Sequence, residues 1–160
     1  MDDGSIFMIV ALIILIGLSA FFSAAETAYN SLNEIRLRSK AEDGDAKAAH
    51  TLALVERYDS LLSTILIGNN IVNLSASSLM TTLTLRVFGN AAVGVATGVL
   101  TLLILVFGEI TPKTMSTLYA EKISFAYAGA IHVLMVVLTP VIFIVNKLSM
   151  GVLFLLRVDP

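Results

Sequence analysis

The chain has 160 residues, 57% of them hydrophobic and only 14% charged, and its mean hydropathy is +0.90; that excludes an ordinary water-soluble domain, in which about a quarter of residues are charged. A formal net charge of −2 with no basic arm argues against a nucleic-acid partner. The absence of cysteine excludes disulfides and thiolate metal sites, so any metal is held by oxygen or by the two histidines.

The first apolar run, "IFMIVALIILIGLSAFF" (Ile6 to Phe22), follows "MDDGS". A secretory signal has a basic start, and this one is acidic, so the run reads as a retained span of about 5–30 even though "SAA" at 23–25 resembles a cleavage site. The loop that follows, 31–59, is patterned. "SLNEIRLRSKAE" sets Leu32, Ile35 and Leu37 among charges, "DGD" at 43–45 supplies a stop and a new N-cap, and "AKAAHTLALVERY" resumes a helical period. Two short amphipathic helices on the membrane surface are expected, and the same charges are compatible with a mouth for ions. His50 reads as a solvated surface residue.

The second span, about 60–86, contains "SLLSTILIGNNIVNLSASSLMTTLTL", and the third, about 91–117, contains "AAVGVATGVLTLLILVFGEIT". The last apolar stretch, 124–157, begins "SFAYAGAIHVLMVVLTPVIFIVN". Pro140 breaks a helix midway. The expectation is therefore a proline-bent segment lying along or dipping into the cytoplasmic half of the bilayer, with a fourth crossing as the alternative. His132 reads as packed or interfacial. The fold class is thus all-α: three transmembrane helices, two short cytoplasmic helices and a bent juxtamembrane segment, forming one membrane domain over 1–160.

Basic residues orient the spans. Arg36, Arg38, Lys40, Lys47 and Arg57 lie in the 31–59 loop, Lys113 and Lys122 follow the third span, and only Arg86 separates spans two and three. The N-terminus is expected outside and the C-terminus in the cytoplasm. Tyr29, Tyr58, Tyr119 and Tyr127 all fall at cytoplasmic ends, where an amphipathic ring is comfortable.

Polar residues recur on one face of each span. Ser19, Ser23, Glu26 and Asn30 share a stripe in the first; Ser63, Asn70, Asn73 and Ser77 in the second; Thr97, Thr101, Gly108 and Glu109 in the third. Interhelical hydrogen bonding accounts for most hydroxyls, and "GVATG" (Gly94, Gly98) is a close-packing or dimer signal. A carboxylate in the apolar slab costs about 2.5–3.5 kcal/mol, so Glu109 is less easily explained in that way. Glu26, nearer the cytoplasmic end, is either interfacial or part of the same chemistry. Pro112 removes a backbone donor one turn after Gly108, and free carbonyls beside a carboxylate and asparagine amides suit a hard cation. Magnesium, calcium, sodium and a proton all fit that chemistry. With no cysteine and no histidine pair, zinc and copper are not expected.

"FFSAAETAYNSLN", "RYDSLLSTILIGNNIVNL" and "FGEITPKTMS" together resemble the transmembrane domain of the CorC and cyclin M (CNNM) family of magnesium transporters, over about Phe21 to Thr117. The resemblance implies a homodimer in a plasma or inner membrane, embedded in lipid, with sodium-coupled magnesium export. It implies a magnesium site, with magnesium as the transported substrate, at Ser23, Asn70, Gly108 and Glu109, with Glu26 and Asn73 as neighbours. Family members continue into ATP-binding CBS domains, which are expected beyond "RVDP", so regulation by ATP is not carried over. A magnesium-sensing subunit without transport of its own is the alternative. An intramembrane enzyme using Glu26 or Glu109 lacks a nucleophile–base pair at usable spacing.

Overall fold

The computed structural model describes residues 2–158, and among these residues it is helical almost throughout, with no strand. Asp2 opens the first helix, α1 (Asp3–Asn30), by accepting the backbone N–H of Ser5 at 2.8 Å. The Asp2 carboxylate also lies 3.5 Å from Arg86. The Ser5 N–H, helped by that guanidinium, holds the Asp2 carboxyl below its ordinary range. The cap therefore keeps its charge above about pH 4 and loosens as the pH falls through the lowered value.

The expected surface helices are α2 (Glu34–Glu42) and α3 (Ala46–Glu56). Asn33 caps α2 by accepting the Arg36 N–H. "DGD" ends it as expected: Gly44 takes φ +96°, its N–H reaches the Ala41 carbonyl, and the N–H of Asp45 reaches that of Lys40. Asp45 then caps α3 by accepting from Lys47 and Ala48.

After Arg57 a single long helix, α4 (Tyr58–Val87), runs for 30 residues to a left-handed Gly89. A 3₁₀ turn at Asn90–Ala92 leads into α5 (Val93–Leu103), a π-helical stretch (Ile104–Ile110) and α6 (Thr111–Leu118), continuous in all but register. The final stretch divides where proline demands it. Helix α7 (Ala120–Val137) ends, Leu138 turns, and α8 (Thr139–Leu155) starts with Pro140 in its first turn, where a missing N–H does no harm. Asp159 and Pro160, at the end expected in the cytoplasm, lie outside the described residues.

Among the described residues, three helices are long and apolar enough to cross a membrane: Asp3–Asn30, Asn90–Leu118 and Ala120–Val137. Helix α4, at about 45 Å, has the length, but Asn69, Asn70 and Asn73 and its many hydroxyls lower its hydropathy. At 18 residues, α7 is itself long enough to cross at about 27 Å.

The chain forms two compact units, with α4 contributing to both. In the unit made of 1–32 and 66–124, Leu12, Ala76 and Leu100 form a core with Leu15, Met80, Leu83 and Ile104 around it. Helices α1 and α4 are antiparallel, with Phe22 against Gly68, Leu12 near Ala76 and Asp2 beside Arg86. Helices α1 and α5 run in parallel, pairing Leu12 with Leu100 and Ser19 with Gly108. Large apolar side chains such as Phe7, Leu74 and Val95, each more than 70% exposed, face outward, as lipid contact requires.

In the unit made of 33–65 and 125–160, Leu37, Leu54, Leu61, Ile65, Ile131 and Met135 are buried. Arg38 pairs with Glu34 at 3.0 Å and Glu56 at 3.5 Å, half-exposed contacts that add little stability. The Ser63 hydroxyl donates to Asn146 Oδ1 at 3.1 Å, tying α4 to α8.

Candidate cation site

The expected ligand residues all lie in the first of these units. On α1, Ser19 and Ser23 are one turn apart and both buried, at 1% exposure each, while Glu26 in the next turn is half-buried. The π-helical stretch presents buried Gly108 to Ser19: a Cβ at position 108 would lie 2.9 Å from Ser19 Oγ and 3.3 Å from its Cβ, so a larger residue would force the Ser19 hydroxyl to turn away. Glu109, next along, is half-buried.

Pro112 explains the change of register. In an α-helix its ring would press on the Gly108 carbonyl and leave that group without a donor. Widening the turn to a π-bulge relieves the clash, and the Thr111 N–H accordingly bonds the Val106 carbonyl, five residues back. Pro112 can donate neither to Gly108, four residues back, nor to Phe107, five back. With Thr111 committed to Val106, the Phe107 carbonyl loses both of its in-register donors. The π register thus adds a second candidate carbonyl to the one expected at Gly108, beside the Glu109 carboxylate.

Helix α4 supplies amides. Asn73 is half-buried, and its Oδ1 is enclosed with no hydrogen-bond partner; the same holds for Asn69 Oδ1 and, across from them, Ser19 Oγ. Ser19 lies between Leu12 and Phe22 on α1, and Asn69 and Asn73 lie between Gly68 and Ala76 on α4. The Phe22–Gly68 and Leu12–Ala76 contacts therefore bracket all three within the same few turns, with Asn69 and Asn73 one turn, about 6 Å, apart along α4. Buried oxygens are usually paired. Among the described residues six side-chain oxygens are enclosed without a partner, the others being those of Thr51, Ser116 and Ser124. The three between Phe22–Gly68 and Leu12–Ala76 are the ones that lie near Gly108 and Glu109 in the packing of α1 and α4. Asn70, expected among the ligands, is exposed in this single chain.

Other expected stripe residues have different employment. Thr97 and Thr101 donate to carbonyls four residues back in their own helix, Ser63 bonds Asn146 outside this unit, and Ser77 is exposed. At the end of α1, the buried Tyr29 hydroxyl donates to the Ser124 carbonyl at 2.8 Å.

Hydroxyl, amide and backbone oxygens with one or two carboxylates make a hard donor set, suited to Mg²⁺, Ca²⁺ or Na⁺. Among the described residues no three of the His, Asp and Glu side chains gather into a metal cage. A cation here therefore rests on few charges and keeps water, as Mg²⁺ does readily. Ser19 belonged to the first stripe but was not singled out as a ligand. Asn69 and the Phe107 carbonyl were missed because burial and helical register, not residue type, mark them.

A family profile described as the cyclin M transmembrane N-terminal domain matches residues 10–160. The chain is 44% identical over 139 residues to a UPF0053 protein of Haemophilus influenzae, covering 87% of this chain and 33% of that protein. It is 40% identical over 132 residues to the UPF0053 inner membrane protein YfjD of Escherichia coli, covering 82% and 31% respectively. It is 39% identical over 145 residues to a chloroplastic DUF21 domain-containing protein of Arabidopsis thaliana, covering 91% and 22%. The chain thus spans about a third or less of the length of these relatives. An all-helical membrane architecture and a profile match across nearly the whole sequence agree: the chain belongs to the cyclin M transmembrane N-terminal domain family.

Proposed function

We propose that this domain carries magnesium across a plasma or inner membrane, as sodium-coupled export, through an oxygen-lined site between α1, α4 and the π-helical stretch. The observation that supports the reading is the enclosed, unpartnered Ser19 hydroxyl against Gly108, next to Glu109, with the unpartnered amide oxygens of Asn69 and Asn73 on the neighbouring α4. Ser23, Asn70 and Glu26 complete the coordination or its approach as the ion moves. Helix α4 crosses the membrane in this reading, because it has the length and packs on α1 and α5 through Gly68 and Ala76, with Asn69 and Asn73 partly buried beside those contacts. The N-terminus lies outside and the C-terminus in the cytoplasm, in keeping with the basic 31–59 loop.

Magnesium flux into and out of proteoliposomes, with and without an opposing sodium gradient, tests the proposal. Saturable flux that rises with the gradient is expected. Saturable magnesium binding with no flux assigns the domain to sensing instead, and neither binding nor flux removes both readings.

The working form proposed is a homodimer. A Cβ added at Gly94 or Gly98 would meet nothing within 4 Å, so these glycines serve no close contact inside one chain. Small residues on an exposed helical face admit a second helix. Gly98→Ile should therefore convert dimer to monomer by light scattering in detergent with little change in the fold; an unchanged dimer would move the interface elsewhere.

A further inference from the structure

Sequence alone shows no histidine pair, yet the fold makes one. His50 on α3 and His132 on α7 come together with ring centroids 5.4 Å apart and planes at 72°, and both residues are exposed. We propose that these two imidazoles form a binding site for a borderline divalent metal of the Zn²⁺, Ni²⁺ or Cu²⁺ class, bridging α3 to α7 and separate from the oxygen-lined site.

Each ring carries two nitrogens on its rim. At this spacing a turn about the terminal torsion, which is soft, lets one nitrogen from each ring approach a shared ion at about 2.0–2.1 Å. Imidazole suits these metals, while Mg²⁺ demands oxygen, so the two sites sort ions by ligand chemistry. Two protein ligands leave the remaining positions to water. Such a site exchanges readily and suits modulation more than structural support. Its mechanical consequence follows from connectivity. Helix α3 joins α4 through Arg57, and α7 leads into α8, whose Asn146 accepts a hydrogen bond from Ser63 on α4. A metal joining α3 to α7 closes a ring of contacts around the first turns of α4 and stiffens them. The alternative role of the pair is edge-to-face packing of two rings with no ligand.

Electron paramagnetic resonance of Cu²⁺ added to the purified chain, prepared without a polyhistidine tag, separates the two. Two equatorial imidazole nitrogens per copper are expected, displaced by Zn²⁺ and unaffected by an excess of Mg²⁺. His50→Gln and His132→Gln should each leave one nitrogen and abolish the rise in melting temperature produced by Zn²⁺. A wild-type spectrum with one imidazole nitrogen or none overturns the proposal, and so do variants that keep both the two-nitrogen signal and the Zn²⁺ response. Should a variant fail to fold, the wild-type spectrum decides alone.

Discussion

Glu109→Gln is expected to remove most of the stabilisation that magnesium confers on the folded domain while leaving the metal-free protein intact. A ligand that binds only the native state raises stability by mass action, so the dependence of melting temperature on magnesium reports affinity. Glu109 is half-buried and is the one carboxylate beside the freed carbonyls of the π-helical stretch. Gln keeps its size and its ability to hydrogen-bond, and removes the charge. Loss of an anionic ligand should weaken magnesium by at least about a hundredfold, some 2.7 kcal/mol. Without metal, the substitution relieves a poorly solvated charge and creates none, so the metal-free melt should stay put or rise slightly. Ser19→Ala and Asn73→Leu should weaken binding less, since each removes one neutral oxygen that has no other partner. If Glu109 only ties helices together, the pattern reverses: the metal-free melt falls and the magnesium response persists.

Gly68→Val should be among the most destabilising single changes in the chain. A Cβ at position 68 runs into the Phe22 ring, and Phe22, 6% exposed, has no solvent into which to swing. Overpacking of this kind costs about 1–3 kcal/mol for small increments and more where backbone must move. Against a native margin of about 5–15 kcal/mol, that is a visible loss of melting temperature. The same change at Gly17 or Gly129, where nothing lies within 4 Å of an added Cβ, should not produce it. The partner is testable too: Phe22→Ala in the Gly68→Val background should recover part of the loss, as a double-mutant cycle between touching residues requires. Equal melts for Gly68→Val and wild type would mean that α1 and α4 do not meet at this point.

The helices were legible because their signals are local. "DGD" at 43–45 contains both the left-handed stop and the next cap, and Pro140 breaks the last stretch within two residues of itself. Family membership was legible too, through three motifs in order. What hid was long-range or subtle in register. The π-bulge depends on Pro112 acting on a turn already relaxed by Gly108, and period counting along an ideal helix cannot anticipate a widened turn. Asn69, Asn70 and Asn73 look equivalent in "IGNNIVN", and only the docking of α4 on α1 turns two of them inward while the third stays exposed. Hydroxyl stripes misled for the opposite reason: threonines such as Thr97 satisfy themselves on their own helix and send no signal across. The meeting of His50 with His132 is a tertiary event with no local trace.

Manganese is an octahedral oxygen-seeking stand-in for magnesium with a strong anomalous signal, so diffraction from crystals grown with Mn²⁺ reads the site directly. The expected result is a peak between α1, α4 and the π-helical stretch, level with Ser19 and Asn73, at about 2.1 Å from the Glu109 carboxylate or from the carbonyl of Phe107 or Gly108, and lost in Glu109→Gln. A peak away from these residues, or one that survives intact in Glu109→Gln, would contradict the assignment of this cluster as the magnesium site.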